Sequence, residues 1–313
     1  MGFFASVNGE IVPLEEARVP VLDNGFLFGD SVYEVLRTYG GRPFESGRHF
    51  RRMRASADRL GIAVPVSDDE LLGRIRALLA RAGDVESYVR VVVTRGVGDS
   101  SYDSAAKDTL PTGARVLGQG SRPQAGSGPR EIAGPTVVMI QKELPRPPES
   151  HYSEGVRVCV VDVRRNHPRS LDPAIKSSNL LNNILALREA RARGAEEPVL
   201  TTLEGLIAEG ASTNVFVVKD GALLTPPLST GILGGITREI LLELAESLGI
   251  PGRETALERG DLVGADEAFL TSTTREVMPI RQVDETPIGS GRPGPVTRRI
   301  LEAFRAYAPA HCD

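Results

Sequence analysis

Lys176 and Glu209 are the residues whose types and settings could do covalent chemistry together. Lys176 lies in Ala174-Ile175-Lys176-Ser177-Ser178-Asn179-Leu180-Leu181, at the head of a helix-like run that reaches Ala192. Glu209 lies in the turn Ile207-Ala208-Glu209-Gly210-Ala211-Ser212-Thr213-Asn214-Val215-Phe216. A short apolar strand, Pro198-Val199-Leu200, precedes that turn, and a second strand runs from Asn214 to Val218. A lysine of lowered pKa can hold an aldehyde as a Schiff base. A carboxylate can keep a pyridine nitrogen protonated and make the ring an electron sink. Singly, Lys176 reads as a solvated amine and Glu209 as a turn residue. Packed elements about one supersecondary unit apart would instead hold the amine and the carboxylate in register.

The stretch resembles the fold-type IV (class IV) pyridoxal-phosphate aminotransferases, which include branched-chain and D-amino-acid aminotransferases and aminodeoxychorismate lyases. Three motifs carry the resemblance: Lys-x-x-Asn-x-Leu at Lys176, Glu-Gly-x-x-x-Asn-x-Phe at Glu209, and Gly-Ile-Thr-Arg at Gly235. It spans Val7 to the last helix, apart from 99–134. It implies pyridoxal 5'-phosphate as cofactor, bound to Lys176, with Glu209 on the ring nitrogen. His49-x-x-Arg52-Met53-x-x-Ser56 matches the family's His-x-x-Arg-Leu-x-x-Ser, with Met53 for leucine. The resemblance therefore places Arg52 on the cofactor phosphate, helped by Ile236, Thr237 and Thr273, and leaves His49 structural. A glycine-rich turn before a helix, Gly231 to Arg238, independently suits an anion.

The resemblance also implies the architecture. The fold expected is α+β in two domains: a small N-terminal α+β domain over 1–142 and a larger C-terminal α/β barrel-like domain over 151–313. Glu143-Leu144-Pro145-Arg146-Pro147-Pro148 is a proline-stiffened link between them, within 143–150. Family members are homodimers whose clefts lie between domains and borrow loops from the partner, so a homodimer is expected. The predicted reaction is ping-pong transfer of an amino group from an amino acid to a 2-oxo acid, with Lys176 also moving the proton.

Substrate preference rests on finer features. Leu180, Tyr33-x-Val35 and Ser272-Thr273-Thr274 resemble the D-amino-acid type. Tyr88-x-Arg90 and Gly294 to Ile300 resemble the branched-chain L-type. The D-type carboxylate trap after Thr-Arg-Gly is missing: Gly98, Ser100 and Tyr102 follow Thr94-Arg95-Gly96. Arg37, on the Tyr33 face by period 2, and Arg275 are the replacement cations. Tyr33, Arg37, Arg90, Thr274 and Arg275 form the expected substrate set. The reading leans to D-amino acids, with the branched-chain type, an (R)-amine transaminase and the lyase as alternatives.

The remaining elements must position these residues. Val7 to Ile11 reads as a hairpin around Asn8-Gly9, residues 19–23 as a short strand, and Val32 to Tyr39 as a strand. Ser46 to Leu60 is an amphipathic helix burying Phe50, Met53, Ala57 and Leu60. Ser67 to Glu70 opens a second helix with a capping box. Strands follow at 87–94, 135–141, 156–163 and 267–271, with helices after Arg238 and over 296–304. The Gly/Pro/Ser-rich stretch 99–134 is an excursion near the substrate entrance or an inert loop. With 41% hydrophobic and 25% charged residues among 313, the composition is that of a globular protein. The net charge of −4 argues against nucleic-acid binding. Four scattered histidines and two cysteines give no metal-ligand spacing. No leader-like or ~20-residue apolar run is present, so a cytoplasmic location without a membrane partner is expected.

Overall fold

The computed structural model describes residues 2–98 and 134–313. Six strands form the first sheet: β1 (Phe4–Val7), β2 (Glu10–Pro13), β3 (Ser31–Tyr39), β4 (Arg42–Pro43), β5 (Ser87–Thr94) and β6 (Val137–Glu143), in the order β2-β1-β6-β5-β3-β4. A short helix, α1 (Asn24–Phe28), precedes β3. Two longer helices, α2 (Ser46–Leu60) and α3 (Asp68–Ala82), cover one face. Gly61, at φ 63°, ends α2 in the left-handed conformation that glycine adopts without strain. Val32, Leu36, Val89, Val91, Val93, Phe50, Met53 and Ile75 make the core between helices and sheet. The opposite face carries Tyr33 and Val35, paired with Val92 and Arg90.

The second sheet starts at β7 (Val156–Val160), after a short helix, α4 (Ser150–Ser153). Helix α5 (Leu181–Ala192) leads to β8 (Glu197–Thr201), β9 (Ile207–Gly210), β10 (Asn214–Lys219) and β11 (Ala222–Thr225). Helix α6 (Ile236–Ser247) follows, then β12 (Gly252–Glu254), α7 (Arg259–Val263), β13 (Glu267–Ser272), β14 (Glu276–Val283), β15 (Thr286–Pro287) and α8 (Pro295–Tyr307). Strands β10-β13-β14-β7-β8-β9 form a path that returns to β10 through the pair Glu209–Asn214. The sheet is therefore a closed, barrel-like ring, and the fold is α+β as expected.

The two sheets share a seam. Phe44, beside β4, is fully buried among Phe216, Phe269, Ile240, Ile300 and Phe304, the core beneath α6 and α8. Phe44 and Phe304 meet edge to face at 5.8 Å. Cys312 bridges back to Phe44, and Asp313 accepts the Ser46 N–H at the start of α2.

Local expectations differ at several points, among them the strand expected over 135–141, which runs Val137–Glu143, and the capping box expected at Ser67, of which only the bond from the Glu70 N–H to Ser67 Oγ forms. Residues 19–23 form no strand. Asp23 makes only an isolated bridge to Val97, because its carboxylate turns inward to cap α1. The strand expected over 156–163 ends at Val160, and the helix expected from Asn179 starts at Leu181. The excursion expected at 99–134 lies outside the described residues except for Gly134. No described helix is long and apolar enough to cross a membrane.

Candidate active site

The segment before α5 docks on β3. The Tyr33 N–H donates to the Lys176 carbonyl at 2.9 Å, and the Ser178 N–H donates to the Ser31 carbonyl at 3.1 Å. The Lys176 N–H is itself held by Ser56 Oγ at 3.1 Å. Ser56 and Arg52 are four residues apart on α2, so one helix face serves both. Thus a sheet edge and a helix fix the lysine backbone before its side chain reaches the cleft. Lys176 Nζ sits 4.5 Å from the centre of the Tyr33 ring, and the Arg90 guanidinium sits 4.0 Å from the same ring. Both distances fall within cation–π range.

Glu209 occupies the closure of the barrel-like ring. Arg165 Nε donates to its Oε1 at 2.8 Å. The Leu233 N–H and Asn214 Nδ2 donate to Oε2 at 3.1 and 3.3 Å. Burial pushes the Glu209 carboxyl above the usual range, while the Arg165 charge and the Leu233 N–H act against that rise. A buried carboxylate keeps its charge only with such donors.

The other end of the cleft is built for an anion. Arg52 on α2 donates from Nη1 to the Gly234 carbonyl at 2.8 Å. Gly235 caps α6 without a side chain, and a Cβ there would lie 2.0 Å from Asn214 Oδ1. The Ile236 and Thr237 N–H groups open this helix, where intrahelical acceptors run out. Thr237 Oγ1 and Ser272 Oγ are buried without a hydrogen-bond partner among the described residues. Arg52, Lys176, Glu209, Ile236, Thr237 and Thr273 all line one cleft. Free helical N–H groups and orphaned hydroxyls at one end, with a carboxylate at the other, fit a phosphate ester of a pyridine.

The family model for amino-transferase class IV matches residues 31–283. The chain belongs to the class IV aminotransferases. It is 34% identical to the branched-chain-amino-acid aminotransferase of Escherichia coli, over 95% of this chain and 90% of that one. It is 33% identical to the D-alanine aminotransferase of Staphylococcus aureus, over 97% and 98%. Among solved structures it is similar to the branched-chain amino acid aminotransferase from Thermobaculum terrenum in its PLP-form. That match has a TM-score of 0.83, 26% identity, and covers 99% and 95% of the two chains.

The residues expected to bind substrate in this class IV cleft scatter. Tyr33 lines it, with Arg90 stacked on the ring. Arg37 does not line it. The Arg37 guanidinium is buried on Glu276 at 2.9 Å, with Tyr39 and Arg305 on the same carboxylate. Thr274 and Arg275 face a neighbouring cavity with Tyr88, Arg146 and His151, where Arg275 is ion-paired to Glu197. Three residues of the site lay outside the sequence reading: Arg165, Ser56 as a tether, and Glu34. Glu34 was detectable. Period 2 puts it between Val32 and Leu36 on the helix-facing side of β3, and a carboxylate there demands cationic partners. Arg165 stands in an irregular loop and offers no such signal.

Proposed function

We propose that this class IV aminotransferase transfers the amino group of D-amino acids to 2-oxo acids, with Lys176 as the catalytic residue. The convergence of Lys176, Glu209 and the anion cradle on one cleft carries this reading. The cofactor, pyridoxal 5'-phosphate, supplies an aldehyde for the amine and a ring that takes up the electron pair left at the substrate Cα. Lys176 Nζ would hold the cofactor's aldehyde and, once a substrate amine took its place there, would act as the base and acid that moves the proton from the substrate Cα. Glu209 holds the proton on the ring nitrogen, and Arg165 fixes its carboxylate. Arg52, Thr273, the Thr237 hydroxyl and the first N–H groups of α6 hold the phosphate and so orient the ring.

Arg90 is the cation best placed for the substrate carboxylate. It stacks on Tyr33 beside Lys176, and it pairs with no carboxylate among the described residues. Arg37 and Arg275 are both committed to buried acids. Leu180 lines the cleft after the lysine motif, which supports the D-type reading. A second reading, the branched-chain L-type, is favoured by Val35 and Val92, which leave an apolar surface beside Arg90.

The test is a half-reaction of the pyridoxal form with D-alanine, D-glutamate, L-leucine and (R)-1-phenylethylamine, following appearance of the pyridoxamine form. Conversion by D-alanine or D-glutamate is expected. Conversion by L-leucine alone selects the second reading, and loss of all conversion in Lys176→Ala is expected in either case.

The same proposal takes 1–142 and 151–313 as the two domains, with 143–150 between them. It also takes the chain as a cytoplasmic homodimer. Phe26 on α1 and Leu181, Ile184 and Leu185 on α5 are exposed apolar side chains. Asn179 ties the two helices by donating to the Gly29 carbonyl at 3.0 Å, and we take this face as the one a second copy covers.

A further inference from the structure

Glu34 belongs to no step described above, yet it is the most fully enclosed acid near the cleft. It is 0% exposed, and both its oxygens are filled. Arg52 Nε donates to Oε1 at 2.7 Å, and Arg52 Nη2 donates to Oε2 at 2.7 Å. His49 Nδ1 meets Oε2 at 2.7 Å, and His49 is also 0% exposed. Burial alone would raise the Glu34 carboxyl, but Arg52 and His49 outweigh it and hold the group far below the usual carboxylate range.

The guanidinium has five N–H groups. Glu34 takes the edge formed by Nε and Nη2, and the Gly234 carbonyl takes one hydrogen of Nη1. What remains is one hydrogen on Nη1 and one on Nη2, the two terminal nitrogens of the fork. Arg52 lines the cleft. A two-pronged fork of this kind matches two oxygens of a phosphate.

We propose that Glu34, steadied by His49, is a positioning residue that presents the Nη1–Nη2 edge of Arg52 to the cofactor phosphate. The inference rests on the reading that Arg52 meets that phosphate. It has a consequence opposite in sign to plain electrostatics. The ion pair is neutral, so Arg52 contributes geometry, and the favourable field comes from the α6 N-terminus. Removing the Glu34 charge would leave Arg52 an uncompensated cation. If charge governed the site, phosphate would then bind tighter. If geometry governs it, phosphate binds looser, because the guanidinium is free to rotate.

The experiment is a titration of cofactor-free protein with pyridoxal 5'-phosphate and, separately, with pyridoxal. The variants are Glu34→Gln, Glu34→Asp and Arg52→Ala, and apo-protein melting is the check on folding. One lost charge-assisted hydrogen bond corresponds to about a tenfold or larger drop in affinity. Glu34→Gln is expected to lose at least about that factor for pyridoxal 5'-phosphate while changing pyridoxal affinity less than about twofold. Glu34→Asp, with its carboxylate withdrawn, is expected to fall between Glu34→Gln and the parent. Unchanged or tighter phosphate-dependent binding in Glu34→Gln overturns the proposal. If Arg52→Ala also leaves that binding unchanged, the underlying reading of Arg52 is what fails.

A measurement on the parent protein does not depend on the variants folding. The Arg52 guanidinium resonances of the cofactor-free protein are expected to show a protected Nε–H and slow rotation. Free rotation before cofactor arrives overturns the proposal.

Discussion

Glu209 and His49 show how a single side chain sets what can be measured. Glu209→Ala is expected to retain cofactor but to lose about 100-fold or more in turnover, the scale of a misplaced proton. Single-turnover kinetics on the loaded variant checks this, and unchanged turnover would remove its ring-nitrogen role. His49 gives a pH signature. Burial pushes its pKa below the ordinary value of 6.5, against the pull of Glu34. The folded chain therefore holds fewer protons at this site than the unfolded chain does. Its stabilising share is complete above pH 6.5 and is lost as pH falls below that value toward the lowered one. The slope is at most about 1.4 kcal/mol per pH unit. The melting temperature is expected to drop on acidification below pH 6.5, and His49→Asn, which keeps a donor for Glu34, should flatten that drop. That Lys176 and Glu209 share one cleft was legible in the sequence because their motifs are contiguous. Arg165 was not, because its contact with Glu209 spans a loop that carries no periodicity.

Helix α2 and the first turn of α6 form the two halves of the anion cradle, joined by the bond from Arg52 to the Gly234 carbonyl. Gly235→Ala is expected to spoil both halves. Its Cβ would press on Asn214 Oδ1, and Asn214 also donates to Glu209. Cofactor affinity should fall about tenfold or more, as for a lost charge-assisted hydrogen bond, and spectroscopic titration of apo protein reads it. Ser56→Ala frees the Lys176 N–H, so its effect should appear in kcat with little change in cofactor affinity. Steady-state and binding measurements on that variant make the comparison. At this scale the sequence was largely readable. The α2 stripe of Phe50, Met53 and Ala57 and the β3 alternation are periodic signals, and both elements stand where they were expected. The face of Arg37 was read by the same alternation, yet its destination was not. Period 2 says which side a residue takes, whereas Glu276, 239 residues away, decides what it meets there.

For the whole molecule, the apolar face on α1 and α5 gives the sharpest test of assembly. Ile184→Glu together with Leu181→Glu is expected to yield monomers in sedimentation, with the parent expected to sediment as a dimer. Closure of the barrel-like ring was not legible, because pairing of β9 with β10 is a long-range outcome that no local pattern encodes. That closure joins completion of the ring to placement of the Glu209 carboxylate. The strand pair completing the ring is the one that carries Glu209 and Asn214, so an opened barrel would lose the carboxylate proposed for the ring nitrogen. Cofactor should therefore act as a clasp. Binding only the closed form, it slows opening, and the amides of β9 and β10 should exchange hydrogen more slowly in loaded than in empty protein, by the factor that free cofactor exceeds its dissociation constant. Seen in time rather than in space, loss of cofactor is the first step by which this enzyme would come undone.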